Sequence, residues 1–224
     1  MEGFLNKEGQ VIILKLIETV QKNREYLSEV DGLIGDGDHG INMNKGFTLC
    51  GQRMAGQELN FSDSLKTLGR VLLTEIGGSM GPLYGTFFNK MARRCKNEEE
   101  ISALVFGDML KDALNGIAEL GNAKLGDKTL MDVLIPASDA FNQALKNGKS
   151  FSEALHHMKQ AAEAGMNSTK DMVARIGRAS RLGERSRGVL DAGAVSCNLL
   201  LQAMADTMLE LIRNSTFQEN SFVG

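Results

Sequence analysis

Apolar residues recur every three to four positions along most of the chain, which is the spacing of amphipathic helices. In the first such stretch, Val11, Leu14, Ile17 and Val20 fall on one stripe. No segment alternates between apolar and polar residues with period two, so the pattern predicts essentially no sheet. Eight helices are predicted, at about 9–29, 41–50, 62–76, 82–94, 101–120, from 128 past Pro136, 152–175 and 192–212.

Particular residues indicate how these helices begin and where they weaken. Ser62 is the expected N-cap of the third helix, and Pro82 suits the first helical position of the fourth. Pro136 is expected to kink the sixth helix, and Gly165 is a weak point in the seventh. The polar ending at 214–224 predicts a flexible tail on a single domain that covers 1–213.

Most connections between the predicted helices are short, so consecutive helices should be antiparallel neighbours. Connections then alternate between the two ends of the bundle. The polar, glycine-rich connections follow helices one, three, five and seven, and they should therefore share one end. We expect the functional site at that end.

Composition and charge narrow the class of protein. The net charge of −3 favours neither a nucleic acid nor an anionic membrane as partner. Glycine is 25 of 224 residues, above the usual ~7%, and it gathers in short clusters, as in loops that approach a ligand. Cys50, Cys95 and Cys197 lack paired spacing and should be free, buried thiols. With no signal peptide and no apolar stretch near ~20 residues, we expect a soluble, cytoplasmic protein.

The densest cluster of chemically active residues is the run DGLIGDGDHGIN, in which Asp31, Asp36 and Asp38 lie within eight residues. Carboxylates so concentrated require cations, and carboxylates with open positions suit Mg²⁺; the pattern does not match an EF-hand. The structural alternative is an acidic turn that caps the second helix, with Asp38 as N-cap. His39 is either a capping or packing residue or a nucleotide-phosphate contact, and Asn42 shares its side of the first helical turn.

Three further clusters each allow a functional and a structural interpretation. The run GGSMGP at the start of a helix offers backbone N–H groups to a phosphate, or is a tight helix–helix turn. The run GDKTLMD is a helix start capped by Asp127, or presents Leu130 and Met131 to a base. In GRASRLGERSRG, Arg178 and Arg185 suit phosphate, or belong to a basic solvated loop.

Together, IGDGDHGINM, GGSMGPLYGTFF, GDKTLMDV and GRASRLGERSRGVLDAGAVS resemble the nucleotide-binding L family of dihydroxyacetone kinases, in family order over about 31–196. The resemblance implies an all-α fold, a closed barrel of eight antiparallel helices with the nucleotide site at one rim. It implies two Mg²⁺ ions, held by Asp31, Asp36 and Asp38, and a bound ADP or ATP. The nucleotide contacts would be His39, Gly40, Ile41, Asn42, Ser79, Met80, Gly121, Leu130, Arg178, Asp191, Ala192 and Gly193.

Three positions depart from the family pattern. The glycine loop has Ser79-Met80 where the family more often has Ala-Ser, so its hydroxyl has moved by one residue. Leu130 stands where Met is common, and Ala192 replaces the proline of the usual Asp-Pro-Gly, which removes a rigid ring. Such departures fit a divergent paralogue that acts on another small ketose.

The resemblance implies a phosphotransferase that works with partners. A K subunit would hold the ketose, and a phosphohistidine of an M subunit would recharge the resident nucleotide. Mg²⁺ would neutralise charge on the transferred group, and positioning would supply most of the remaining catalysis. Two rival hypotheses use the same residues: a nucleotide-sensing module that controls a transcription factor without turnover, and a Mg²⁺-binding helical scaffold.

Overall fold

Helices dominate the computed structural model, which describes residues 2–221 and side chains as far as residue 215. Each helix forms where its apolar stripe is buried; on α1, for example, Ile12, Ile13, Leu16 and Val20 are at most 2% exposed. Within this range the elements are β1 Gly3–Leu5, α1 Gln10–Lys22, α2 Arg24–Gly32, α3 His39–Met54, α4 Phe61–Glu75, α5 Met80–Cys95, β2 Glu100–Ser102, α6 Ala103–Leu120, α7 Met131–Lys146, α8 Phe151–Ser168 and α9 Ala192–Ser221.

Eight of the helices close into a ring. From α3 to α9 each helix packs on the next, while α1 packs on both α3 and α9. The remaining helix, α2, lies against α3 and α9. Phenylalanines fill the interior: Phe47 packs edge-to-face on Phe88, and Phe106 on Phe141. The predicted all-α barrel is confirmed.

The first predicted helix, 9–29, is in fact two helices. The break is at Asn23, whose backbone leaves the helical region at φ −103° and ψ 12°. The Asn23 side-chain amide donates to the Thr19 carbonyl at 2.8 Å, so it competes with the helical hydrogen bonds there. The break allows α2 to take its own direction and to end beside the acidic run.

The expectation of essentially no sheet misses one small ribbon. β1 pairs antiparallel with β2, and the paired residues Phe4 and Ile101 are both buried. Strands of three residues are too short to display a period of two. The N-cap of α4 also differs from the prediction, because the side chain of Asn60 rather than Ser62 accepts from the Asp63 N–H, at 2.8 Å.

Two further predicted boundaries shift for local reasons. The sixth predicted helix begins at Met131 rather than at Lys128, because Lys128 has a φ of +63° that no α-helix accepts. The seventh, α8, ends at Ser168 rather than Arg175. It runs through the predicted weak point Gly165. Glycine is required there because any Cβ would lie 2.2 Å from the Asp132 carbonyl of α7. α7 continues through Pro136, so the predicted kink stays a prediction.

The C-terminal helix corrects two expectations. α9 extends past 212 to Ser221, into the predicted tail; residues 222–224 of that tail lie outside the described residues, and the domain boundary stays a prediction. Within α9, Ala192–Ser215 is long and apolar enough to cross a membrane, although no such stretch was expected. Its most apolar window is 67% buried inside the barrel, as in the core helix of a soluble protein. The three cysteines are free and buried, as predicted.

Candidate functional site

A cavity of about 500 Å³ opens where the glycine-rich connections meet at one rim of the barrel. Its wall is built from four stretches of chain, 31–42, 77–84, 117–131 and 176–193. The expectation that the four clusters share one end is therefore confirmed. A volume of this size lies within the range of small-molecule and cofactor sites.

The acidic run folds so that its three carboxylates converge. Asp31, Asp36 and Asp38 each offer an oxygen that lies within 4.8 Å of the others. Glycine makes this possible: Gly37 has a φ of +74°, and a Cβ at Gly35 would lie 2.5 Å from a carboxylate oxygen of Asp31. The run therefore curls over the end of α2 and directs its charges to one point.

The electrostatics of this cluster fit a cation. Oδ2 of Asp31 is buried and has no hydrogen-bond partner, which is costly for a charged oxygen. Asp38 is the N-cap residue of α3, but its side chain makes no capping hydrogen bond, which removes the simple capping interpretation. Arg178 forms an ion pair with Asp36, so one positive group already faces the cluster. Hard, oxygen-binding cations such as Mg²⁺ suit this donor set.

His39 lies beside the carboxylates, and a chain of hydrogen bonds through Ser196 and Tyr84 orients its imidazole. Its Nε2 lies 2.9 Å from Oγ of Ser196, which lies 2.7 Å from the hydroxyl of Tyr84 and donates to the Gly193 carbonyl at 3.1 Å. Burial lowers the pKa of His39 to about 4, against the opposing charge of Asp31. The imidazole is therefore neutral near pH 7. Sequence reasoning did not single out Tyr84 or Ser196.

The glycine loop between α4 and α5 forms the opposite wall. Gly77, Gly78 and Ser79 are exposed to the cavity, and Gly78 has a φ of +71°. Ser79 is the N-cap residue of α5, and its side chain makes no capping hydrogen bond. A Cβ at Gly81 would lie 2.1 Å from the Ile76 carbonyl, so this glycine allows the two helices to meet. Because no side chain caps α5, the first-turn N–H groups that lack a helical acceptor are available to an anion.

Two carboxylates hold the loop before α7. Asp127 accepts from the Lys124 N–H at 2.9 Å and so does not cap α7 as predicted, and Asp132 makes the remaining contacts. The Asp132 carboxylate accepts from the N–H groups of Gly126 and Thr129, at 2.5 and 2.7 Å. Between them Lys128 is buried, and its ammonium donates to the carbonyls of Thr169 and Val189. Sequence reasoning missed Lys128, because a lysine in a polar loop gives no sign of burial.

The segment before α9 supplies the basic side of the cavity. Arg178 follows Gly177, whose φ is +75°, and lines the cavity. Arg185 is exposed and does not line it, so its predicted phosphate role has no structural support. Asp191 accepts from the Ala194 N–H at 2.8 Å, and burial raises its pKa to about 6.

Two of the predicted nucleotide contacts fall outside the cavity lining. Gly40 is buried where a Cβ would lie 2.0 Å from the Arg24 carbonyl, so it allows α3 to pack on α2. Ile41 is 51% exposed on the outer face of α3. The other predicted site residues all line the cavity: Asp31, Asp36, Asp38, His39, Asn42, Ser79, Met80, Gly121, Leu130, Arg178, Asp191, Ala192 and Gly193.

Comparisons with known proteins agree with this architecture. Residues 33–206 match the DAK2 domain family. The PEP-dependent dihydroxyacetone kinase ADP-binding subunit DhaL of Escherichia coli is 39% identical, over 81% of this chain and 87% of its own length. The PTS-dependent dihydroxyacetone kinase ADP-binding subunit DhaL of Lactococcus lactis is 35% identical, over 88% and 93%.

A solved structure shares the fold at lower sequence identity. The dihydroxyacetone kinase of C. freundii, in complex with AMP-PNP and Mg²⁺, superposes with a TM-score of 0.67 at 21% identity. The match covers 92% of this chain but 35% of the kinase chain, so this chain corresponds to about a third of that protein. The family match and the full-length relatives together show that the chain belongs to the DAK2-domain family, as an L-type (DhaL) member of the dihydroxyacetone kinases.

Proposed function

We propose that this chain is the nucleotide-binding, Mg²⁺-dependent phosphotransferase subunit of a kinase for dihydroxyacetone or a related small ketose. A partner K subunit would hold the ketose, and a phosphohistidine of an M subunit would recharge the bound nucleotide. One observation carries the proposal: three carboxylates, one with a buried unpaired oxygen, converge beside an arginine at the mouth of a cavity of cofactor size. The PEP- and PTS-dependent relatives support the choice of donor.

Asp31, Asp36 and Asp38 are the residues that would bind two Mg²⁺ ions. Mg²⁺ bound there would neutralise charge on the phosphates of the nucleotide and on the group being transferred. Because Asp36 would become a metal ligand, Arg178 would leave its ion pair and donate to a phosphate oxygen instead. The unpaired Oδ2 of Asp31 would gain the partner that it lacks in the protein alone.

The rest of the cavity would bind the remainder of the nucleotide. N–H groups at the start of α5 suit phosphate oxygens. Leu130, which is 6% exposed, offers an apolar surface to the base. The proposed contact set within the cavity is His39, Asn42, Ser79, Met80, Gly121, Leu130, Arg178, Asp191, Ala192 and Gly193. Gly40 and Ile41, which the resemblance also implies, lie outside the lining and are left out of this set.

Catalysis by this chain would consist of charge neutralisation and alignment. We assign it no nucleophile and no general base; the base that accepts the ketose hydroxyl proton would come from the K subunit. Holding the phosphoryl donor in line with that hydroxyl is the main contribution that a rigid rim can make. The substitutions at Met80 and Ala192 are consistent with a small ketose other than dihydroxyacetone. We place the reaction in the cytoplasm.

Nucleotide retention tests this proposal. Because two Mg²⁺ ions and Arg178 would bind the phosphates, we expect ADP and Mg²⁺ to co-purify with the protein and to survive gel filtration. Chelation with EDTA should release the ADP and lower the melting temperature by linkage. Denaturing the purified protein and measuring the released nucleotide by chromatography gives the stoichiometry.

Two results would contradict the proposal or redirect it. Exchange of labelled ATP within seconds, with no effect of EDTA on melting, would contradict a resident Mg-nucleotide. Tight nucleotide binding without any transfer to a ketose, in the presence of K and M subunits, would favour the regulatory nucleotide-sensing alternative.

A further inference from the structure

Lys128 combines two unfavourable features at the wall of the cavity. Its side chain is only 1% exposed, although it carries an ammonium group. Its φ of +63° is the only positive value at a non-glycine position within the described residues. Buried charge and left-handed backbone of this kind persist where the surrounding structure enforces them, and they concentrate at functional sites.

The surrounding loop is built to hold this conformation. Gly126, with a φ of +91°, and Thr129 flank Lys128, and the N–H groups of both donate to the buried carboxylate of Asp132. The Arg175 N–H donates to the Asp127 carbonyl at 3.1 Å, so the next segment of the cavity wall is tied to the same loop. These hydrogen bonds hold the backbone of Lys128 in place.

The ammonium of Lys128 joins the two ends of the segment 169–191. It donates to the Thr169 carbonyl at 2.6 Å and to the Val189 carbonyl at 2.5 Å. The Asp191 N–H donates to Oγ1 of Thr169 at 3.1 Å and closes the same junction. We call the segment 169–191 the arginine loop, because it carries Arg178.

The charge of Lys128 also has a consequence for the site. Burial lowers the pKa of Lys128, while the neighbouring carboxylate of Asp191 opposes that effect. The two groups to which the ammonium donates are neutral carbonyls, so its positive charge is not cancelled by a hydrogen-bonded carboxylate. Lys128 lines the cavity and therefore adds to the positive potential that an anionic nucleotide meets.

We propose that Lys128 is a positioning residue that holds the arginine loop closed against the nucleotide, so that Arg178 and Asp191 stay in place and the nucleotide is released slowly. The inference rests on the proposed nucleotide-binding function. Lys128 acts through the loop and contributes no Mg²⁺ ligand. Its loss should therefore change nucleotide release and leave the dependence on Mg²⁺ concentration as it is.

Matched variants test this role. Lys128→Met keeps most of the side-chain length and removes the donors, whereas Lys124→Met makes the same charge change at an exposed position four residues away. The release of mant-ADP, chased with excess ADP in saturating Mg²⁺, should be at least tenfold faster in Lys128→Met and within twofold of wild type in Lys124→Met. Hydrogen–deuterium exchange should accelerate at 172–190 and not in the barrel helices. Lys128→Arg, which retains charge and donors, should restore slow release in part.

The outcomes separate this inference from the proposed function. If wild type binds no mant-ADP, the proposed function fails. If wild type binds it and Lys128→Met releases it at the wild-type rate, the positioning role fails. If Lys128→Met does not fold, exchange in wild type decides: the Gly188 and Asp191 amides should gain protection together when Mg-ADP is added. No gain at either amide overturns the inference.

Discussion

Replacing Asp31 with asparagine is expected to change the stability of the ligand-free and the ligand-bound protein in opposite directions. Asp31 stands in a cluster of three carboxylates with an unpaired buried oxygen, so without a cation its charge is unfavourable. With Mg-ADP bound, the same charge would be a metal ligand. A purely structural aspartate would not produce this reversal.

The spacing of the carboxylates sets the size of the effect. At 4.8 Å, two unit charges repel by about 0.9 kcal/mol at the dielectric constant of water and by about 3.5 kcal/mol at an effective value of 20. Two of the three pairs include Asp31. Because Asp36 and Asp38 are exposed and Arg178 neutralises one of them, we expect a net gain of about 1–3 kcal/mol in the ligand-free protein. For a protein of this length that gain raises the melting temperature by roughly 2–12 °C.

Thermal melting with and without Mg-ADP measures both directions. We expect Asp31→Asn to melt higher than wild type in EDTA, and to lose most of the increase that Mg-ADP gives to wild type. Its ADP affinity in Mg²⁺ should fall at least 100-fold, or about 2.7 kcal/mol. Asp112→Asn removes one carboxylate from the exposed surface of α6 and is the matched control. A lower melting temperature in EDTA, or an undiminished response to Mg-ADP, would refute the metal-site reasoning.

Three further predictions follow from the same geometry. Asp36→Asn and Asp38→Asn should each abolish phosphoryl transfer with an unchanged circular dichroism spectrum, since both change rim ligands; wild-type turnover in either would contradict the assignment. Burial raises the pKa of Asp191 from 3.8 to about 6, so its stabilising contribution is present below pH 4 and is lost as pH rises to 6. Between pH 4 and pH 6, the unfolding free energy of ligand-free Asp191→Asn, measured by urea titration, should fall by up to about 3 kcal/mol less than that of wild type. An equal fall in the two proteins would be contrary evidence. Gly165→Ala should destabilise by about 1–3 kcal/mol in urea, because its Cβ would lie 2.2 Å from the Asp132 carbonyl; an unchanged midpoint would show that α8 can move away.

The sequence predicts the helices well where the apolar periodicity is long, whereas their closure into a barrel was implied by the family resemblance. Seven of the eight predicted helices correspond to single observed helices, because an apolar stripe that continues over several turns leaves few alternatives. The exceptions are local hydrogen bonds and short strand pairings, which the apolar periodicity does not indicate. Asn23 breaks the first helix with a side-chain hydrogen bond, and two three-residue strands pair where Phe4 and Ile101 are both buried.

Part of the candidate site can likewise be predicted from local sequence patterns, and part of it cannot. The roles of the clustered glycines and aspartates can be predicted from the sequence, because residues with this spacing serve mainly in turns and metal sites. Lys128 does not, since its burial depends on carbonyls from a segment more than forty residues away. Arg185 shows the opposite error: it resembles Arg178 in sequence context, but the fold directs only Arg178 into the cavity. Contacts between distant loops are a tertiary property that local patterns do not contain.

A single-turnover transfer experiment tests the central claim most directly. The chain is loaded with γ-³²P-labelled ATP and Mg²⁺, freed of unbound nucleotide, and mixed with a K subunit and dihydroxyacetone or another small ketose. We predict that the label moves from the bound nucleotide to the ketose, that transfer requires the K subunit, and that Asp36→Asn prevents it. Label that remains on the nucleotide with every ketose tested, or that reaches free ketose without a K subunit, would contradict the account.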